Sequence, residues 1–537
     1  MSETDYIIVG AGSSGAVLAA RLSEDPKVTV TLVEAGRRER NILLNMPIAF
    51  PLVMMGGSRY NWSYTGEPEP FANNRCIRQP RGKALGGSSM INGMLYARGN
   101  ARDYDEWRQL GLEGWSWEDV LPYFKRSENH WGEADAFHAK GGPLTTTKHL
   151  PDNQLFPRFM AAVAKLGYKR QVDHHGPDQE GWGSPDINIH RGKRASTAAR
   201  FLYPAMKRPN LTVLTQAHAT RVEVQDGRAV ALHYRQAGQD KVVRASREII
   251  LSGGAYNTPQ LLLLSGIGPA DHLAEHGIAV VHDLPGVGQN LQDHPSIAMI
   301  TGAQRQATLN PELRFDRLAL SVLQWLATGR GRIANMPVTA NGWIKTYSKG
   351  EGPDLERPDV QYLLQPTTIF ARPWFPGIRK PAPDAVAMAC VLLRPESRGW
   401  VKLASADPFA PPRILNNVLG TENDRAFFRR VVRQVREIWA TAPLSDVLTT
   451  QIAPSPQAQS DAEIDAWVRE ATNTALHPVG SCAMGTGPMA VCDAQLRVRG
   501  LQGLRIADAS VMPSIVGGNT NAACIMIGEK AADLIRG

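Results

Sequence analysis

The chain is poor in cysteine: its 537 residues hold five, Cys76, Cys390, Cys482, Cys492 and Cys524. They are widely spaced, with no Cys-x-x-Cys pair and no companion His-x-x-x-His. That excludes a disulfide framework and a Cys/His zinc site, so no metal is expected, and it suits a reducing cytosol. No apolar run reaches the roughly 18–20 residues that cross a bilayer. The opening MSETDYIIVGAGSSG has no basic n-region, cleavage motif or twin arginine. The expected location is cytoplasmic, with peripheral attachment to the inner membrane left open. Charge of one sign is not concentrated either. The 59 Lys and Arg against 51 Asp and Glu leave +8, but the cations are scattered. The densest groups, Arg37, Arg38 and Arg40, then Arg425, Arg429, Arg430, Arg433 and Arg436, read as solvated surface, and no nucleic-acid partner is expected.

What is present is a packed chain of more than one domain. Apolar residues make up 43% and charged residues 20%, which excludes a disordered polymer. The 49 glycines and 37 prolines follow no period and imply many turns, so a wholly helical bundle is not expected.

The first motif is local. An apolar run from Tyr6 to Val9 stops at Gly10-Ala-Gly12-Ser-Ser-Gly15, and Ala16 to Leu22 continue with helical spacing. This is a strand, a tight turn and a helix whose N-terminus faces a pyrophosphate with free N–H groups and its positive dipole end. A second strand, Val28 to Val33, ends in Glu34, where a carboxylate would hold an adenosine ribose and disfavour a 2′-phosphate. No second fingerprint occurs: Gly266-Ile-Gly268 and Gly286-Val-Gly288 lack the third glycine. One dinucleotide is expected, and this motif leaves NAD or FAD open.

Further motifs follow in order: RGKALGGSSMINGMLYARG at 81–99, GGAYNTPQLLLLSGIGP at 253–269, LPGVGQNLQDH at 284–294, RPESRGWVKL at 394–403, His477-Pro-Val-Gly-Ser-Cys, Asp508-Ala-Ser-Val-Met-Pro, and Gly517-Gly-Asn519-Thr-Asn521. Together they resemble the glucose–methanol–choline (GMC) family of flavin oxidoreductases, in its alcohol/choline dehydrogenase-like branch. The resemblance implies an α/β fold: a discontinuous Rossmann-like FAD-binding domain (1–150, 200–300 and 470–537) and a mostly antiparallel-sheet substrate domain (150–200 and 300–470).

It also implies roles. Gly10, Gly12, Ser13, Ser14, Gly15, Glu34 and Ala35 would serve the ADP half of FAD, with Val222 near the adenine. Arg81, Gly86, Gly87, Ser88, Asn92, Gly93, Met94 and Leu95 would line the pyrophosphate and flavin, and Asp508, Ala509 and Thr520 would complete that wall. Some relatives attach FAD through a histidine where this chain has Ile91, so a non-covalent FAD is expected. The implied activity is oxidation of a primary alcohol to its aldehyde, with hydride transfer to flavin N5. His477 matches the catalytic histidine. Pro478 keeps its backbone extended, and an imidazole suits the base role. Asn519 matches the second catalytic position; its amide can hydrogen-bond the alcohol oxygen but not take its proton. A helix expected after Asn519 would aim its positive end at the flavin's pyrimidine edge.

Specificity should lie in the less matched stretches. Ile333 to Trp343, Gln361 to Phe370 and Trp374-Phe375 are rich in aromatic and aliphatic residues and poor in carboxylates, which favours an apolar or aromatic alcohol over choline. The electron acceptor is left between a quinone, a dye and O2. A hydroxynitrile lyase of the same family is the alternative. Phe315 to Leu326 reads as a core helix, a dimer contact or a helix lying on a membrane, and the oligomeric state is not legible. Of the other histidines, His174, His175, His272 and His276 are expected at the surface or in loops.

Overall fold

The computed structural model describes residues 2–39, 41–56, 59–149, 153–347, 355–368 and 370–537; Arg40 and the expected boundary at 150 lie outside them. Strands buried on both faces read as continuous apolar runs, and the N-terminal strand Ser2–Val9 is one from Tyr6 onward. It lies parallel to Val30–Glu34 on one side and to Gln239–Leu251 on the other. Leu211–Thr215 extends the sheet beyond Val30–Glu34, and Leu504–Ile506 joins Gln239–Leu251, both in parallel. Arg228–Gln236 and Ala217–Gln225 add an antiparallel margin. Ile7, Ile8, Leu32, Ile249 and Ile250, side by side in this register, are fully buried.

Two helices meet over this sheet, Ser13–Leu22 and Asn521–Arg536. They approach so closely that a Cβ on Gly528 would lie 2.7 Å from the Ser14 carbonyl oxygen. Ser14 Oγ donates to the Cys524 carbonyl at 2.7 Å and Ser13 Oγ to Asn521 Oδ1 at 2.7 Å. Both helix N-termini therefore end at one place, beyond the carboxyl ends of the parallel strands, where open α/β sheets bind ligands.

The second sheet is antiparallel, in the order Leu448–Ala453, Pro295–Ala303, Ala385–Leu392, Val360–Gln365, Ala340–Ile344 and Gly181–Gly183. Alternation divides its faces. Tyr362 and Leu364 point into a core closed by the helix Glu422–Ala440 with Phe427, Phe428, Val431 and Val435. Gln361, Leu363 and Gln365 point the other way, into a cavity shared with the first sheet. The basic residues of that helix are largely salt-bridged, Arg429 to Glu422 and Asp465 and Arg433 to Asp461.

Two expectations are corrected here. His174 and His175 lie in a loop, as one of the expected settings, but are buried rather than superficial. Each is held by a backbone carbonyl, Gln179 O and Tyr96 O respectively, at 3.1 Å, and each packs against Trp343. The helix Phe315–Thr328 is not a core helix. Leu318, Val322 and Trp325 pack inward with Met46, Ala49 and Ile333, while Phe315, Leu320, Leu323 and Leu326 are exposed. Its apolar side chains cover more of the circumference than one packing surface can bury. Among the described residues no helix is long and apolar enough to cross a membrane.

Candidate active site

A cavity of about 470 Å³ runs between the two sheets. At one end two glycine loops meet. Gly10 has φ +100°, and a Cβ on Gly87 would lie 2.7 Å from Gly12 Cα. Bare backbone therefore faces the cavity at the point where both helix N-termini arrive. A group of developed negative charge, such as a pyrophosphate, fits that donor set. Glu34 and Asp508 brace it from below. Glu34 accepts from the Ala11 and Gly36 amides at 2.9 and 2.7 Å. Asp508 accepts from the Gly254 amide, Thr258 Oγ1, the Ser510 amide and Ser510 Oγ. Burial raises the pKa of both carboxyls against these donors.

Of the residues singled out in the sequence, Gly10, Gly12, Ser13, Ser14, Glu34, Ala35, Arg81, Gly87, Ser88, Asn92, Gly93, Met94, Leu95, His477, Asp508, Ala509, Asn519 and Thr520 all line this cavity. Gly15, Gly86 and Val222 do not. Gly15 sits under the turn, where a Cβ would lie 1.9 Å from the Gly10 carbonyl oxygen, and Gly86 supplies a left-handed turn with φ +94°. Val222 points into the core of the first sheet, and Ala217, His218 and Ala219 of its strand reach the cavity instead. Trp374 and Phe375 are absent from the lining, and of Ile333 to Trp343 only Met336 and Val338 contribute.

At the other end stands His477. Asn519 Oδ1 accepts from Gln361 Nε2 at 3.2 Å, which turns the Asn519 amide nitrogen toward His477 Nε2, 3.0 Å away. A donor there requires a lone pair on Nε2, so the His477 proton sits on Nδ1. It faces His294 Nδ1 at 3.0 Å, which accepts it. Burial and the nearby Arg81 guanidinium hold the His477 pKa down to about 3, so the ring is neutral and its Nε2 carries a free lone pair. Sequence reasoning missed three of these supports. His294 and Asp293 lie in the quoted 284–294 motif without an assigned part, and Gln361, at the head of a stretch expected to set specificity, was given no part beside Asn519. Asp293 Oδ1 accepts from the His294 and His477 amides, both at 2.8 Å.

Burial pushes the Asp293 carboxyl up to about 7. A carboxyl with a raised folded-state pKa contributes stability that is present below about pH 4 and lost as pH rises through about 7. Asp293→Asn keeps the acceptor oxygen and cannot ionise. Urea unfolding is expected to show wild type losing stability relative to Asp293→Asn between pH 4 and 7. A difference independent of pH would mean an ordinary carboxyl.

The substrate wall is neutral. Ser296, Val391 and Gln361 form one register row across three strands, with Leu363 and Ala389 paired beside it. Met336 and Phe50 stand over Gly93, where a Cβ would meet them at 3.4 and 3.6 Å. The cavity-lining carboxylates, Glu34 and Asp508, are both at the glycine-loop end.

Comparison with known proteins agrees with this geometry. GMC oxidoreductase family models match residues 4–296 and 395–528. The oxygen-dependent choline dehydrogenase of Chromohalobacter salexigens is 43% identical over 543 residues, covering 100% of this chain and 95% of the relative. That of Brucella canis is 40% identical, covering 100% and 96%. Among solved structures, pyridoxine 4-oxidase from Mesorbium loti superposes with a TM-score of 0.87 at 30% identity, covering 99% of this chain and 98% of that one. A formate oxidase structure gives 0.91 at 27%, covering 100% and 98%. With both family models matched, relatives aligned over its whole length and a glycine-loop cradle suited to FAD, the chain belongs to the GMC oxidoreductases, the FAD-dependent enzymes that act on the CH–OH group of alcohols.

Proposed function

We propose that this enzyme oxidises neutral, apolar primary alcohols to aldehydes, with His477 as base, Asn519 as partner of the alcohol oxygen and dioxygen as electron acceptor. The observation that carries the substrate class is the wall of Ser296, Met336, Val338, Gln361, Leu363, Ala389 and Val391, which holds no carboxylate. A quaternary ammonium entering an apolar cavity loses its hydration and needs an anion or an aromatic cage in return; here Phe50 alone is aromatic beside that wall. The relatives named above carry choline in their names, so the reading separates this chain from them by charge at one end of the substrate.

When bound, FAD supplies the two-electron acceptor that side chains cannot. Gly10, Gly12, Ser13, Ser14, Gly87, Ser88 and Thr520 would hold it, and the alkyl side chain of Ile91 offers no atom for a covalent link. The protein's own part is proton handling. An alcohol oxygen placed between Asn519 Nδ2 and His477 Nε2 receives a hydrogen bond from the first and gives its proton to the second. Gln361 keeps the amide from turning its oxygen toward the alcohol. His294 accepts from His477 Nδ1, steadying the imidazolium that forms. Dioxygen is supported by the relatives' description as oxygen-dependent and by oxidases among the solved structures. The lyase reading finds no support in these comparisons.

The test compares choline with 3,3-dimethylbutan-1-ol, which has the same shape without the charge. Anaerobic bleaching of the yellow protein is expected with the neutral alcohol at a kcat/KM at least tenfold higher, about 1.4 kcal/mol of preference. Air should then restore the colour. Equal or better bleaching by choline overturns the substrate class; colour that stays bleached in air overturns the acceptor.

A further inference from the structure

The helix Phe315–Thr328 presents Phe315, Leu320, Leu323 and Leu326 to solvent at 55–66% exposure. A loop is pinned to its start: the Phe315 amide donates to Trp374 O at 2.9 Å, and the Trp374 amide to Leu313 O at 3.1 Å. On that loop Phe370, Phe375 and Ile378 are also exposed, Ile378 at 84%. Exposed apolar side chains gathered on a helix and on the loop pinned to its start mark a place where something else covers them.

Charge says what. Arg314 is salt-bridged to Asp316 and Arg332 to Glu312. The exposed Arg317, Arg330, Arg372, Arg379 and Lys380 have no carboxylate partner among the described residues. They lie within or directly after the same helix and loop as the apolar side chains. A second copy would bring the same uncompensated cations to the interface, where like charges repel. An anionic lipid surface meets both halves of the pattern, with acyl chains for the leucines and headgroup phosphates for the cations.

We propose that this face docks on an anionic membrane surface, with the helix lying in the plane of the interface. The cavity lies alongside. Met336 and Val338, which line it, follow the Arg332–Ala334 turn on which the helix packs. On the short helix Phe50–Met55, Phe50 and Met54 face the cavity while Leu52 and Met55 face solvent. An apolar alcohol dissolved in the lipid would meet the cavity lip directly.

The test is sedimentation of the FAD-loaded full chain with vesicles of phosphatidylcholine alone and of phosphatidylcholine with about one third phosphatidylglycerol. Binding is expected to the anionic vesicles only and to weaken with salt. The double variant Leu323→Glu, Leu326→Glu should lower that binding at least about tenfold while alcohol bleaching without vesicles is unchanged. Protein left in the supernatant with both vesicles overturns the proposal, and so does equal binding to both. A wild-type dimer that the double variant converts to monomer, without vesicle binding, overturns it in favour of self-association.

Discussion

Replacing His477 with alanine is expected to slow anaerobic flavin bleaching by an alcohol about 10²–10⁴-fold, the range a positioned general base supplies, while the purified protein stays yellow. Its Nε2 is the acceptor aimed into the cavity beside Asn519 Nδ2, and its Nδ1 is committed to His294. Among the described residues no other lining side chain offers a neutral basic nitrogen there: His218 is held by Pro408 O. With a pKa of about 3, the imidazole is in its base form across the working range. The loss should therefore be the same at pH 6 and pH 8. Folding should suffer little, since the variant gives up hydrogen bonds worth about 1 kcal/mol each in a cavity that water can enter. A rate within tenfold of wild type would place the base elsewhere, and a large loss confined to pH 6 would mean that His477 titrates near neutrality.

The two ends of this cavity were unequally legible in the sequence. The glycine-loop end is local: a strand, a turn and a helix within Ser2–Leu22, an acid at the end of the next strand, and a loop at 81–99 whose residues meet the first turn. Short spacings carry that information. The substrate wall is not local. Ser296, Gln361 and Val391 become neighbours only through strand register, and nothing in an apolar run states which strand it will pair with or which parity will face inward. That is why Trp374 and Phe375 were expected in the pocket and lie outside it. Their loop pairs with Arg314 and Phe315 on the outer side of the helix. Polar pairing also hides histidines: His174 and His175 read as superficial because the carbonyls that hold them, Gln179 O and Tyr96 O, leave no mark in composition.

Arg194 escaped notice for the same reason, and its replacement by methionine is expected to be the most damaging change apart from those at His477 and Asn519. The side chain is buried, with 3% exposure, and no carboxylate among the described residues pairs with it. Its guanidinium donates to backbone instead: Nε to Leu44 O at 2.8 Å, and Nη1 to Ser89 O, Asn92 O and Asn92 Oδ1 at 3.2, 2.6 and 2.8 Å. Burial pulls its pKa down to about 9, still above neutrality, so it serves as a fixed cation. It ties the segment Ile42–Asn45 to the 86–94 loop, whose Gly87, Ser88, Asn92, Gly93 and Met94 line the cavity. Methionine fills the volume but leaves the Leu44, Ser89 and Asn92 carbonyl oxygens without this donor, at about 1–3 kcal/mol for each that finds no water; Asn92 Oδ1 keeps the Met94 amide. A loss on the order of 3 kcal/mol in the loop's ordered state would weaken FAD retention about 100-fold. The expected result is a protein that emerges colourless from gel filtration and regains colour only with excess FAD. Arg194→Lys should fall between, because one ammonium cannot reach acceptors on three separate residues as a planar fork does. A methionine variant that stays yellow through gel filtration, with an unchanged urea midpoint, would show that the loop holds its shape without this cation.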